Sequence, residues 1–148
     1  MARSRRKPRL TTRIEDLAAA VRAYAGGVAH AEAAAELLIG DGRWLQRDDF
    51  VDGFLDIGPG GLRGDTVMAV IDWAGAVAAL DAGRLSCSSG EGRVLRIAAS
   101  IAGEVAVCVG TVLGGLDEDR IALIAWAVRH ANGGPGVSRP VTRAGSAQ

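Results

Sequence analysis

Asp48-Asp49-Phe50-Val51-Asp52 is the densest run of potential metal ligands in the chain. On a helix, carboxylates at i and i+4 share a face and offer the hard oxygens that magnesium takes beside substrate phosphates. An enzyme using such a DDxxD pattern on a diphosphate needs a second acidic motif across a deep helical cavity. No second DDxxD follows, and Asp117-Glu118-Asp119 stands at a helix start, where capping accounts for it. A metal-dependent enzyme built on Asp48, Asp49 and Asp52 is therefore the third hypothesis. The plain reading of the acids is a solvated face, on which Asp48, Asp52 and Asp56 line the side opposite the apolar residues.

Other groups offer less. Gly58-Pro59-Gly60-Gly61-Leu62-Arg63-Gly64 has the look of a phosphate loop, but the required lysine is missing: Lys7 is the only one in the chain. Asp65 would also repel an anion at the start of the helix expected next. Cys87, Cys108, His30 and His130 have no zinc-site spacing, so the cysteines are expected reduced, and no serine stands in GxSxG. Asp72 stands on an apolar stretch, where burial could raise its pKa, or on a face with Asp65, Ala69, Ala76 and Ala79 that meets water. Trp44, Trp73 and Trp126 fall on three segments and read as core anchors. No catalytic constellation and no cofactor are expected.

Charge is the clearer signal. The net charge of the 148 residues is zero, yet Arg3, Arg5, Arg6, Lys7, Arg9 and Arg13 precede every acid. From residue 14 to 133, nine arginines face all 17 acids. A basic arm on an acidic body points to an interaction, and Pro8 discourages early helix within the arm. Two anions could receive Arg3, Arg5, Arg6, Lys7 and Arg9: the acidic face of Asp48, Asp52 and Asp56, or a phosphate backbone. Residues 98–113 add the punctuation of a helix-turn-helix, with Ala99, Gly103, Val109 and Val112 at its small and apolar positions. The would-be reading helix, residues 106–113, carries only Thr111 as a polar side chain, so base readout is disfavoured.

The elements that would position these groups read as helices. Thr12-Arg13-Ile14-Glu15 forms a capping box, followed by an apolar 3-4 seam from Ile14 to Leu38 that Gly26-Gly27 should kink. Gly40-Asp41-Gly42 ends it, and an amphipathic piece carries Phe50, Val51, Phe54 and Leu55 inward. After the 58–64 loop, residues 65–82 are expected as a helix at the centre of the fold, with Asp65 as cap and Gly83 as stop. Ser88-Ser89-Gly90-Glu91 opens another helix, Val105–Leu113 is read as a short helix in preference to a strand, and Asp117 caps the last. The longest uninterrupted apolar run, residues 105–116, falls short of the ~20 residues that span a bilayer.

Ile71-Asp72-Trp73-Ala74, Cys87-Ser88-Ser89-Gly90-Glu91, Leu95-Arg96-Ile97-Ala98-Ala99-Ser100 and Gly115-Leu116-Asp117 ahead of a helix ending His130-Ala131 resemble small uncharacterised actinobacterial proteins over residues 44–133. The resemblance implies a bacterial, cytoplasmic setting and transfers no functional residue. The expected architecture is one all-α domain of six to seven helices over residues 12–133. A flexible basic arm (1–11) precedes it and a disordered Gly/Pro/Arg tail (134–148) follows. The expected function is a non-enzymatic binding or regulatory module acting through a protein partner or self-association, off the membrane. Nucleic-acid association through the arm is the alternative.

Overall fold

A computed structural model describes residues 10–60, 65–134 and 138–141. Helix α1 (Leu10–Ala25) leads to α2 (Ala29–Asp41), a 3-10 turn (Trp44–Gln46) and α3 (Asp48–Phe54). Strands β1 (Leu55–Gly60) and β2 (Thr66–Ile71) follow, then α4 (Trp73–Asp81), α5 (Ser89–Ile101), α6 (Val109–Val112) and α7 (Glu118–Ala131). The described residues thus form seven α-helices and one antiparallel hairpin. The all-α expectation is corrected by that hairpin.

Helix α2 is central because it is alanine-rich and buried on two sides. Ala35 and Leu38 pack into a core with α1, the hairpin, Trp44 and Phe50. Ala33 and Leu37 pack into another with Val94, Ala98, Leu123 and Ala127 of α5 and α7. Trp44, Phe50, Leu37, Leu38, Leu95 and Leu123 are fully enclosed, each side chain contributing about 1.5–3 kcal/mol by leaving water. The predicted seam from Ile14 to Leu38 is split at Gly27, whose φ of 90° lies where a side chain is strained. Helix α1 begins at Leu10, so Thr12 lies inside it and is not its cap.

Residues 65–82 are not one central helix. Thr66-Val67-Met68-Ala69-Val70-Ile71 pairs with Leu55–Gly60, Leu55 opposite Ile71 and Gly60 opposite Thr66. β-Branched side chains fit that pleated surface, and Ala69 and Ile71 turn into the core while Val70 turns out. Asp72 N–H donates to Phe54 O at 2.8 Å, which makes Pro59–Val67 a non-hydrogen-bonded pair. The N–H that proline lacks is thus one the ladder does not use. The cap of the following helix is Asp72 and not Asp65: it is exposed, and its Oδ1 accepts from Gly75 N–H at 3.0 Å.

The predicted caps at Ser88 and Asp117 are present, each accepting the N–H three residues on, at 3.2 and 2.8 Å. The 105–113 helix reduces to the single turn of α6. Gly103, at φ 85°, and Glu104 close α5 by donating back to Ser100 O and Ala99 O, and the chain then runs irregularly to Cys108.

Candidate functional site

Of the sequence-predicted interaction residues, Arg3, Arg5, Arg6, Lys7 and Arg9 lie outside the described residues. Asp48, Asp52 and Asp56 do not form one helix face. Asp48 and Asp52 are on α3, but that helix ends at Phe54 and Asp56 belongs to β1, opposite Val70. Asp48 receives Arg13 at 2.5 Å, tying α1 near its start to α3. Asp49 receives both Nε and Nη2 of Arg47, at 2.9 and 2.6 Å, and that guanidinium holds its carboxyl below the usual range. Arg47 also stands over the Trp44 ring, 5.0 Å from its centroid, and donates to Ser86 O. Of the DDxxD aspartates, Asp48 thus pairs between elements and Asp49 pairs locally with Arg47 at the start of α3. Among the described residues, no three His, Cys, Asp or Glu side chains converge in a way that could hold a metal.

The helix-turn-helix is not built either: residues 102–108 separate α5 from a one-turn α6, too short to read a groove. His30 is exposed. His130 Nε2 meets Glu32 Oε2 at 2.9 Å, and its ring stacks on Trp126 with centroids 4.9 Å apart. Glu32 Oε1 also accepts Gly27 N–H at 2.8 Å, so one carboxylate fastens the α1–α2 corner to the end of α7. His130 first, then Gly27, lowers the Glu32 pKa.

What sequence reasoning missed is a groove on the other side of that corner. Cavities of about 320 and 420 Å³ share Val70, Ile71, Trp73 and Glu104 in their walls. One reaches the α1–α2 corner at Tyr24, Val28 and His30. The other reaches Phe54, Asp56 and Asp72 at the α3–β1 junction. Tyr24 is 57% exposed, Val28 46% and Val70 38%. The first two are seam positions that lose cover where Gly27 breaks the helix, and β-alternation turns the third outward. Asp56, Asp72 and Glu104 are polar wall groups, and no Lys or Arg stands among the described lining residues. An apolar surface edged by carboxylates is suited to a ligand with both apolar and basic groups.

The chain matches no protein-family model, no curated protein and no solved structure. Among the described residues no helix is long and apolar enough to cross a membrane.

Proposed function

We propose that the chain is a non-enzymatic protein-interaction module whose groove along Val70 and Trp73 takes a basic amphipathic segment of a partner protein. One observation carries this reading: exposed Tyr24, Val28 and Val70 share a groove with Asp56, Asp72 and Glu104. The apolar residues supply area to bury, and the carboxylates select for Lys or Arg in the partner and fix its register. Asp56, singled out for acidity alone, acts here from the wall of the groove.

Titration of the full chain with a helical Leu/Lys peptide, followed by calorimetry and tryptophan fluorescence, tests the proposal. Saturable one-to-one binding is expected, weakened at least tenfold by Asp56→Lys with Glu104→Lys and absent for the Leu/Glu peptide. Equal affinity for both peptides, or binding indifferent to the charge reversals, refutes it. Tight duplex-DNA binding that falls steeply with salt and disappears without residues 2–9 would favour the nucleic-acid reading instead.

A further inference from the structure

A different cleft, between α2 and α7, is already occupied by the chain itself. Residues 138–141 follow α7 without helical or strand pairing. Arg139 Nε reaches Glu36 Oε2 at 3.2 Å. Glu36 is mostly buried, its side chain 20% exposed, and it is also held by both Nε and Nη2 of Arg22. A carboxylate has lone pairs for both guanidinium groups, so the seat is fixed before the second arginine arrives.

The backbone is shaped for the same side chain. A Cβ at position 40 would overlap Arg139 Nη1 and stand 2.9 Å from Leu123 Cδ2. Glycine near the end of α2 therefore admits both the guanidinium and α7, although glycine is a poorer helix former than alanine. Ser138 and Pro140 line a cavity of about 380 Å³ with Trp126, Arg129 and His130. Arg139 lines one of about 370 Å³ with Arg22, Glu32, Glu36, Trp126 and His130. Open volume thus flanks the seated segment, and the Trp126–His130 stack borders both spaces.

We propose that this cleft is a second recognition site for an extended Arg-Pro segment of a partner protein, with residues 138–141 as its intramolecular occupant. Arginine would sit between Glu36 and Gly40, and the following proline beside Trp126. Proline suits such a ligand because it enters an extended conformation at low entropic cost. Tethering gives the resident segment an effective concentration in the millimolar range, so an incoming segment must exceed that by affinity or by additional contacts in the open volume. The inference rests on Arg139 and its seat, independently of the groove along Trp73.

The probe is a capped Ser-Arg-Pro-Val peptide, and the readout is the Trp126 indole N–H resonance of the full-length chain, assigned with Trp126→Phe. In Arg139→Glu, which vacates the seat, a saturable shift is expected with a dissociation constant on the order of 1 mM. Binding to the unaltered chain should be at least threefold weaker, because the resident segment competes. Glu36→Arg should lose the arginine peptide and accept Ser-Glu-Pro-Val instead. Arg139→Gln replaces Arg139→Glu if circular dichroism shows that the latter does not fold. No saturable shift in the vacated variant, equal affinity with and without Arg139, or arginine-peptide binding that survives Glu36→Arg would each overturn the proposal.

Discussion

Replacing Gly90 by alanine should destabilise this protein, although the same change in an ordinary helix stabilises it. Gly90 lies in the first turn of α5, where the guanidinium of Arg120 from α7 packs against its bare Cα. Arg120 Nε donates to Asp41 Oδ1 at 2.8 Å, joining three helices at one point. The Asp41 side chain is only 3% exposed, and its Oδ2 is buried without a hydrogen-bond partner among the described residues. An alanine Cβ at 90 would stand 2.5 Å from Arg120 Nη1 and 3.1 Å from Cζ, so the guanidinium must shift and strain its bond to Asp41. Removing one partner of a buried pair costs about 3–5 kcal/mol; Arg120 is displaced here but not removed and keeps 20% exposure, so about half of that, roughly 2 kcal/mol, is at stake. Helix propensity returns about 0.5–1 kcal/mol, leaving a net loss of about 1 kcal/mol, or on the order of 4 °C in midpoint for a chain of this size.

The control is the same substitution in an Asp41→Asn, Arg120→Met background. Methionine ends about where Arg120 Nε sits, 3.7 Å from the new Cβ, which is ordinary contact. There Gly90→Ala should stabilise by about 0.5–1 kcal/mol, reversing its sign. Urea denaturation of the four proteins, with slopes compared for a common unfolding transition, measures the difference. An equal effect of Gly90→Ala in both backgrounds would refute the reasoning.

Other outcomes follow from the same geometry. Magnesium titrated into the chain should give no tight stoichiometric heat, since Arg13 and Arg47 occupy Asp48 and Asp49; tight binding abolished by Asp48→Ala with Asp52→Ala would contradict this. At mildly alkaline pH, Cys108 should alkylate before Cys87 by peptide mass mapping. Cys108 is exposed and its thiol is lowered by Thr111, while burial, then Glu91, pushes Cys87 up. Glu32, lowered by His130 and Gly27, contributes stability that is present above about pH 4.5 and lost as pH falls through its folded value, so Glu32→Gln should flatten the acid side of a stability–pH curve. Asp41 has the opposite sign. Burial raises its pKa against the Arg120 hydrogen bond, so its contribution is present below about pH 4 and lost as pH rises through the folded value. Asp41→Asn should therefore gain on the unaltered chain as pH rises past that range.

Helix punctuation was legible in the sequence because each device acts within a few residues. Gly27 and Gly42 take left-handed backbone, and Ser88 and Asp117 cap the N–H groups three positions on. The hairpin was not legible by apolar pattern, since residues 65–82 are apolar at both helical and strand spacing. Its composition did carry a signal: β-branched Thr66, Val67, Val70 and Ile71 follow a glycine-rich stretch. What decides for strand is pairing with Leu55–Gly60 and burial of Ala69 and Ile71 in the core shared with α1, which are distant contacts. Asp56 was misplaced for a related reason. The i, i+4 rhythm of Asp48, Asp52 and Asp56 continues past Phe54, but the backbone has already become extended at Leu55.

The long-range polar contacts were harder to read because their partners are far apart in the chain. Glu32 meets His130 across 98 positions and Arg120 meets Asp41 across 79. Periodicity cannot pair such residues, yet the helices carry local traces of them. Gly40 and Gly90 stand inside helices where alanine would be more favourable by about 1 kcal/mol, in a chain otherwise rich in alanine. In each case the missing Cβ leaves room for a guanidinium, Arg139 at Gly40 and Arg120 at Gly90. The two guanidinium groups bind acids on α2, Glu36 and Asp41. The same small-residue helix therefore serves two ends: its alanines allow neighbouring helices to approach, and its carboxylates receive arginines from later in the chain. An intrahelical glycine, read together with an arginine far along the chain, is the sequence feature that could have directed attention to α2.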